Sequence, residues 1–122
     1  MNETQNSKYD LEERTLKFAE DIRKFIKELP KTLGNLEDIR QLIRSSGSIG
    51  ANWIEANEAF SKKDFIMRTK ICRKEAKESR YWLKLVDVRI DQGLLNERRQ
   101  KLIKEVTELM KIFGSMIEKT KS

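Results

Sequence analysis

A stripe of apolar and small residues with alternating three- and four-residue gaps runs through a segment rich in serine and glycine. Such spacing puts the stripe on one face of a helix. Gly47 and Gly50 lie inside this segment, and each costs about 1 kcal/mol relative to alanine in a helix. We therefore predict a continuous helix with a closely packed neighbour, the alternative being a break at 47–50. The stripe comprises Ile39, Leu42, Ser46, Ile49, Trp53, Ala56 and Phe60.

Three further segments carry the same spacing. Asp10, Asn35, Ser61 and Asn96 are suited to cap the helices, with Glu13 and Asp64 as capping-box acids for the first and third. Pro30 ends the first helix, and Gly93 suits a left-handed position after the third. The three stripes comprise Leu11, Thr15, Phe18, Ile22, Phe25 and Leu29; Phe65, Thr69, Cys72, Ala76, Ser79, Leu83, Val86 and Ile90; and Leu102, Val106, Leu109, Phe113 and Met116.

Four helices with short connections predict an all-α, antiparallel up-down-up-down four-helix bundle. Residues 1–9 are polar and predict a flexible arm, and residues 10–119 predict a single domain. The stripes of the second and third helices are both small in their middle, which predicts that these two helices pack unusually close together.

Charge and composition narrow the function classes. The chain of 122 residues has a net charge of +6, which favours a polyanionic partner. The alternative is a solvated charged surface that binds nothing anionic. Cys72 is the only cysteine, so no intrachain disulfide can form. Neither a secretory signal nor an apolar run of membrane-spanning length is visible, so we expect a cytoplasmic protein without membrane contact.

Residue chemistry argues against an enzyme. The chain has no histidine, which removes the usual general base near neutral pH and the Ser-His-Asp and Cys-His systems. Two Glu-x-x-Glu pairs, Glu55 with Glu58 and Glu75 with Glu78, lack the histidines of di-metal bundles and are expected to be solvated or salt-bridged. We predict no catalytic, cofactor or metal residues.

Basic residues recur at seven-residue spacing on the third helix, which aligns them in one stripe. They form a candidate phosphate-contacting surface, the alternative being a solvated face. The candidates for nucleic-acid contact are Arg40, Arg44, Lys63, Lys70, Arg73, Lys77, Arg80, Lys84, Arg98 and Lys101.

A second group of residues is predicted to be structural or to form subunit contacts. Asn52 and Glu55 lie three residues apart on one helix face and predict a partly buried hydrogen-bonded pair that fixes register between helices or subunits, the alternative being two exposed residues. Trp53 falls on the stripe of the second helix and should be core. The remaining members are Ser48, Gly50, Tyr81, Trp82 and Leu85, the last three off the stripe and predicting self-assembly, or alternatively an aromatic platform for bases.

Three segments resemble one known family. They read S-I-G-A-N-W-I-E-A-N-E-A, S-K-K-D-F and C-R-K-E-A-K-E-S-R-Y-W-L-K-L. They are similar to the four-helix bundle proteins encoded in intervening sequences of bacterial 23S rRNA genes. The resemblance implies a protomer that assembles into a ring, typically a pentamer, and no established enzymatic activity. The chain is also similar to the accessory variability protein of diversity-generating retroelements, which implies nucleic acid and a reverse transcriptase or another protein as partners.

Two function classes follow. The first is a non-enzymatic oligomeric helical scaffold whose basic surface binds RNA or DNA without sequence specificity. The second is a protein-interaction adaptor with no direct contact to nucleic acid. A continuous basic surface favours the first, and dispersed charge favours the second.

Overall fold

A computed structural model describes residues 10–122, which form four α-helices and no strand. These are α1 (Leu11–Ile26), α2 (Leu33–Asn57), α3 (Lys62–Leu85) and α4 (Gly93–Lys121). The predicted all-α fold is confirmed. The predicted arm at 1–9 lies outside the described residues.

The helices pack as an antiparallel bundle in which each helix lies along two neighbours. α2 lies between α1 and α3, and α4 lies between α3 and α1. Within residues 10–122, the diagonal pairs α1–α3 and α2–α4 have no two Cα atoms within 8 Å of each other. Arg14 of α1 donates to both carboxylate oxygens of Glu105 in α4 at 2.8 and 2.9 Å. Ring assembly stays a prediction.

The predicted stripes form most of the core. All six stripe residues of α1 are buried, and Phe18, Phe25 and Phe113 are among the largest side chains that are fully enclosed. Burying each large apolar side chain contributes about 1.5–3 kcal/mol, so these stripes supply the main driving force for the fold. Ile117, which lies beside the α4 stripe, is also buried.

α2 runs unbroken through the serine-glycine segment, so the alternative of a break at 47–50 is wrong. The two glycines differ in their surroundings. A Cβ on Gly50 would lie 2.7 Å from Oγ1 of Thr15 in α1, whereas a Cβ on Gly47 would meet nothing within 4 Å. The close approach at Gly50 is therefore to α1. Between α2 and α3 the small residues also meet, and Ser79 donates to Ser45 at 2.8 Å.

The outer ends of two stripes were predicted wrongly. Phe60 and Ile90 are fully exposed, because α2 ends at Asn57 and α3 ends at Leu85, before either residue. Gly93 is not a left-handed residue after α3: it is the first residue of α4, which begins three residues before Asn96.

The capping predictions are confirmed only in part. Ser61 caps α3, since its hydroxyl accepts a hydrogen bond from the backbone N–H of Asp64 at 3.0 Å. Asp10 precedes α1 but its side chain makes no capping bond. Asn35 is not a cap: Thr32 caps α2, and its hydroxyl accepts from the backbone N–H of Asn35. α1 ends at Ile26, before Pro30, in a short turn that still buries Leu29.

Candidate nucleic-acid interface

Two arginines of α3 extend over α4 and define one face of the bundle. Nη1 of Arg73 lies 3.6 Å from the position that a Cβ on Gly114 would occupy. Nη1 of Arg80 lies 3.4 Å from Oγ1 of Thr107 and donates to it. A Cβ at 114 would be in ordinary van der Waals contact with Arg73, so the guanidinium lies close over α4 at this glycine. Because these contacts lie two helical turns apart, they set the alignment of α3 with α4.

Four lysines extend this face. Lys77 and Lys84 follow Arg73 and Arg80 by four residues, which places them one turn further along the same side of α3. Lys104 and Lys111 precede the contacted positions of α4 by three residues and lie beside them. All four lysines are exposed. We call the set the α3–α4 basic face: Arg73, Lys77, Arg80, Lys84, Lys104 and Lys111.

The α3–α4 basic face carries little opposing charge. Lys111 approaches Glu108 of its own helix at 3.9 Å, and both side chains are exposed, so that pair contributes little. Among residues 10–122, no other member of the face forms an ion pair. The positive charge on this face is therefore available to a ligand.

The other candidate contacts lie elsewhere on the bundle. Arg44 of α2 is paired with two glutamates, and Arg98 of α4 is paired with Glu28 at the end of α1. Lys101 lies beside Arg98 in a shallow groove between α1 and α4. Arg40 is exposed on α2, and Lys63 and Lys70 lie on the outer side of α3. The ten predicted residues thus do not form one surface.

Arg44 holds a pair of acidic residues on α3. Its guanidinium donates to Glu75 at 3.3 Å and to Glu78 at 2.9 Å. Glu75 is only 6% exposed, and its Oε1 has no hydrogen-bond partner in the part of the chain that the structure describes. Burial, reinforced by neighbouring Glu78, raises the pKa of Glu75 despite the opposing effect of Arg44. Glu78 and one carboxylate oxygen of Glu75 are therefore salt-bridged to Arg44, whereas the other oxygen of Glu75 has no hydrogen bond in the described part of the chain.

Replacing Glu75 by glutamine should remove a pH dependence of stability. Because the folded chain raises the pKa of Glu75, its contribution to stability is present below the ordinary pKa of 4.5 and is lost as the pH rises through the raised value. We expect the free energy of unfolding of Glu75→Gln, minus that of the parent, to grow with pH above about 4.5 and then level off. Urea unfolding at several pH values, with exposed Glu55→Gln as control, measures this. A difference that is constant or shrinks with pH contradicts it.

The predicted pairing of Asn52 with Glu55 is wrong within the protomer. Asn52 donates instead to the backbone carbonyl of Ser48 at 2.8 Å, one turn back on its own helix. Glu55 is exposed. The acids that do pair across α2 and α3 are Glu75 and Glu78, and the partner of both is Arg44.

The aromatic residues separate into a core group and an outer group. Trp53 is buried as predicted, with ring centroids 6.2 Å from Phe65 and from Phe113. Tyr81 and Leu85 are exposed, and Trp82 is partly buried beside the core with its ring 5.0 Å from that of Tyr81. Their predicted role in self-assembly stays a prediction.

Asn35 is a structural residue whose role the sequence did not reveal. Its side chain is 1% exposed and donates to the carbonyls of Pro30 and Asp87, both at 2.9 Å. Its Oδ1 accepts from the backbone N–H of Asp87 at 2.8 Å. It therefore joins the α1–α2 connection to the end of α3. The signal available was an asparagine near a helix start, which indicates a cap far more often than a cross-link.

Within residues 10–122, no group of three or more acidic, cysteine or histidine side chains could hold a metal ion. Cys72 is fully buried, and burial raises the pKa of its thiol to about 12, so it packs as a small core residue. In the same range, no helix is long and apolar enough to cross a membrane.

These features define a basic, all-helical four-helix bundle protein with charged outer faces. Residues 7–115 match the model of the 23S rRNA-intervening sequence protein family. The chain belongs to this family, as its three family-like segments predict.

A solved structure supports the same assignment. The chain is similar to a protein of unknown function from the S23 ribosomal protein family of Bacteroides thetaiotaomicron VPI-5482. The two are 34% identical, the match covers 88% of this chain and 97% of the other, and the TM-score is 0.74. The comparison with curated proteins found no match.

Proposed function

We propose that this chain is a non-enzymatic, oligomeric helical scaffold that binds RNA or DNA through the α3–α4 basic face, without sequence specificity. The observation that carries the proposal is the convergence of six cations from two helices on one side of the bundle. Phosphate contacts from lysine and arginine position a nucleic acid without reading its bases.

The geometry of the face suits a backbone rather than base edges. The cations lie along two long, regular helices, and the bundle as described presents no single helix isolated for insertion into a groove. On α3 the cations of this face follow one another every three or four residues, which is about one helical turn, so one flexible strand can contact several of them. We therefore expect RNA and DNA of different sequences to bind with similar affinity.

Assembly would strengthen this binding. The chain carries a net charge of +6, and an oligomer multiplies it. Weak contacts from several subunits then act together on one strand, because the later contacts are intramolecular. We propose a homo-oligomer, with the pentameric ring of the family resemblance as the expected form, acting in the cytoplasm.

A second candidate function rests on the exposed apolar residues of α3. Met67, Tyr81 and Leu85 are each about half exposed. Phosphate binding does not use large apolar side chains, and exposed apolar side chains that lie together mark contact sites. These residues favour protein contacts, either between copies or with another protein such as a reverse transcriptase. The adaptor function, with no nucleic acid bound, is the alternative to the scaffold.

Reversing two charges on the α3–α4 basic face should weaken nucleic-acid binding. We expect Lys77→Glu/Lys84→Glu to lower affinity for labelled RNA and DNA and to reduce the slope of log affinity against log salt by roughly 1 per lysine, since each phosphate contact releases counterions. Fluorescence anisotropy between 50 and 300 mM salt (about the range in which such contacts weaken) measures both quantities.

The matched control is Lys24→Glu/Lys27→Glu, which makes the same charge change on exposed residues of α1 and its end. It should leave the salt slope close to that of the parent, apart from a general loss of affinity from the lower net charge. Equal effects of the two pairs would place the binding elsewhere. If the parent binds neither RNA nor DNA at about 50 mM salt, the nucleic-acid-binding scaffold is ruled out and the adaptor function remains.

A further inference from the structure

The outer side of α1 carries an exposed leucine surrounded by acids. Leu16 is 58% exposed. Glu12 and Glu13 precede it by four and three residues and Glu20 follows it by four, so all three surround it on the helix surface. All three are exposed, and none forms an ion pair among residues 10–122, where the nearby Lys17 pairs with Asp21. We call these four residues the α1 acidic face.

The outer side of α3 carries the complementary arrangement. Met67 is 48% exposed and lies in a shallow groove of about 430 Å³. The floor of this groove is apolar and its rim carries three lysines, none of which forms an ion pair in the described range. We call it the α3 basic groove, lined by Lys63, Ile66, Met67, Lys70, Ile71 and Lys74.

We infer that the α1 acidic face of one copy docks in the α3 basic groove of the next. The α1 acidic face presents one leucine among three glutamates, and the α3 basic groove presents three apolar side chains among three lysines. The leucine can enter the apolar floor while the glutamates meet the lysines on the rim. A polyanion would satisfy the lysines but leave Met67 and its two isoleucine neighbours without an apolar partner, which favours a protein surface.

The two surfaces cannot meet within one protomer. α1 and α3 are diagonal helices of the bundle, with no two Cα atoms within 8 Å of each other, and both surfaces face outward. Docking one on the other therefore joins different copies by a heterologous contact, which forms a closed ring if the rotation between copies closes. This inference rests on the proposed oligomeric scaffold and names the two surfaces that would build it. The groove adjoins the α3–α4 basic face, since Lys70 and Lys74 lie one turn from Arg73 and Lys77, but the two surfaces share no residue.

Charge reversal tests this pairing by light scattering, without nucleic acid. We expect the parent to have several times the monomer mass of 14.4 kDa. Glu13→Lys/Glu20→Lys should dissociate it because two cations then face the lysine rim. Lys63→Glu/Lys70→Glu should dissociate it for the converse reason. Combining all four substitutions in one chain should restore the oligomer, since both faces are then reversed together.

The control is Glu37→Lys/Glu97→Lys, which reverses two exposed acids near the starts of α2 and α4 and should leave the mass unchanged. Circular dichroism checks that each variant keeps its helix content. If the parent assembles but either reversal leaves its mass unchanged, or if the combined variant stays dissociated, the inferred interface is wrong while the scaffold stands. A parent that is monomeric at micromolar concentration overturns both.

RNA binding by the same variants tests whether nucleic acid, rather than a second copy of the chain, occupies the α3 basic groove. If Lys63→Glu/Lys70→Glu keeps the parent's mass yet lowers RNA affinity at least as much as Lys77→Glu/Lys84→Glu, nucleic acid occupies the groove and the inference fails. If the pairing is correct, RNA affinity of the combined variant returns toward that of the parent together with its mass.

Discussion

Asn35→Ala should be about 2–4 kcal/mol less stable than the parent, because it removes three partly buried hydrogen bonds at once, each worth about 1 kcal/mol. The side chain meets the carbonyls of Pro30 and Asp87 and the backbone N–H of Asp87, all at 2.8–2.9 Å. Each unsatisfied buried group costs about 1–3 kcal/mol, and water reaching the cavity would recover part of this. Urea unfolding followed by circular dichroism measures the loss.

Two variants isolate the cross-link from other effects. Asn35→Asp keeps the shape but cannot donate to either carbonyl, so it should be about as destabilising as alanine. Asn57→Ala changes an exposed asparagine at the end of α2 and should stay within about 0.5 kcal/mol of the parent. If Asn35→Asp proves as stable as the parent, the side-chain donors contribute nothing and the cross-link explanation fails.

The bundle could be predicted from sequence because each helix has one dominant buried face. The three-four spacing holds from Leu11 to Leu29 and from Leu102 to Phe113, and only one register buries such a stripe. The same rule failed at Phe60 and Ile90, which continue the spacing after the helix has ended. Periodicity indicates which face is buried but carries no information about where the last turn lies.

The polar contacts between helices were less predictable. Arg44 pairs with Glu75 and Glu78, and Asn35 reaches Asp87, more than fifty residues away in the chain. Such contacts depend on the axial offset of one helix against the next, which a stripe of apolar residues leaves undetermined. For the same reason Asn52 was assigned to Glu55, its neighbour on the helix, instead of to the carbonyl of Ser48.

The lysines of α3 share one seven-residue spacing but contribute to two different surfaces. Seven-residue spacing predicted a single stripe for Lys63, Lys70, Lys77 and Lys84. Seven residues fall short of two full turns by about 20°, so the stripe drifts around the helix. Lys63 and Lys70 line the outer groove of α3, while Lys77 and Lys84 are turned about 20–60° from them, toward the side of Arg73 and Arg80, which reach α4. This drift allows α3 to serve two surfaces, one proposed for another copy and one for nucleic acid.

Gly50→Ala and Gly47→Ala should change stability in opposite directions although both replace a glycine in the same helix. Alanine is about 1 kcal/mol better than glycine inside a helix, so each substitution begins with the same gain. At Gly47 nothing lies within 4 Å of the new Cβ, and we expect the full gain of about 0.5–1 kcal/mol.

At Gly50 the new Cβ would lie 2.7 Å from Oγ1 and 3.3 Å from Cβ of Thr15. The hydroxyl cannot simply turn away, because it donates to the carbonyl of Leu11 at 2.7 Å and Thr15 is buried. α1 and α2 must separate, and overpacking of this kind costs about 1–3 kcal/mol, which exceeds the helix gain.

In a Thr15→Ala background the shortest contact disappears, so Gly50→Ala should destabilise less there than in the parent. Thermal melts of the four chains measure this coupling. If Gly50→Ala stabilises the parent as much as Gly47→Ala does, the approach of α1 at this glycine is not close, and the reason for keeping Gly50 lies outside the protomer.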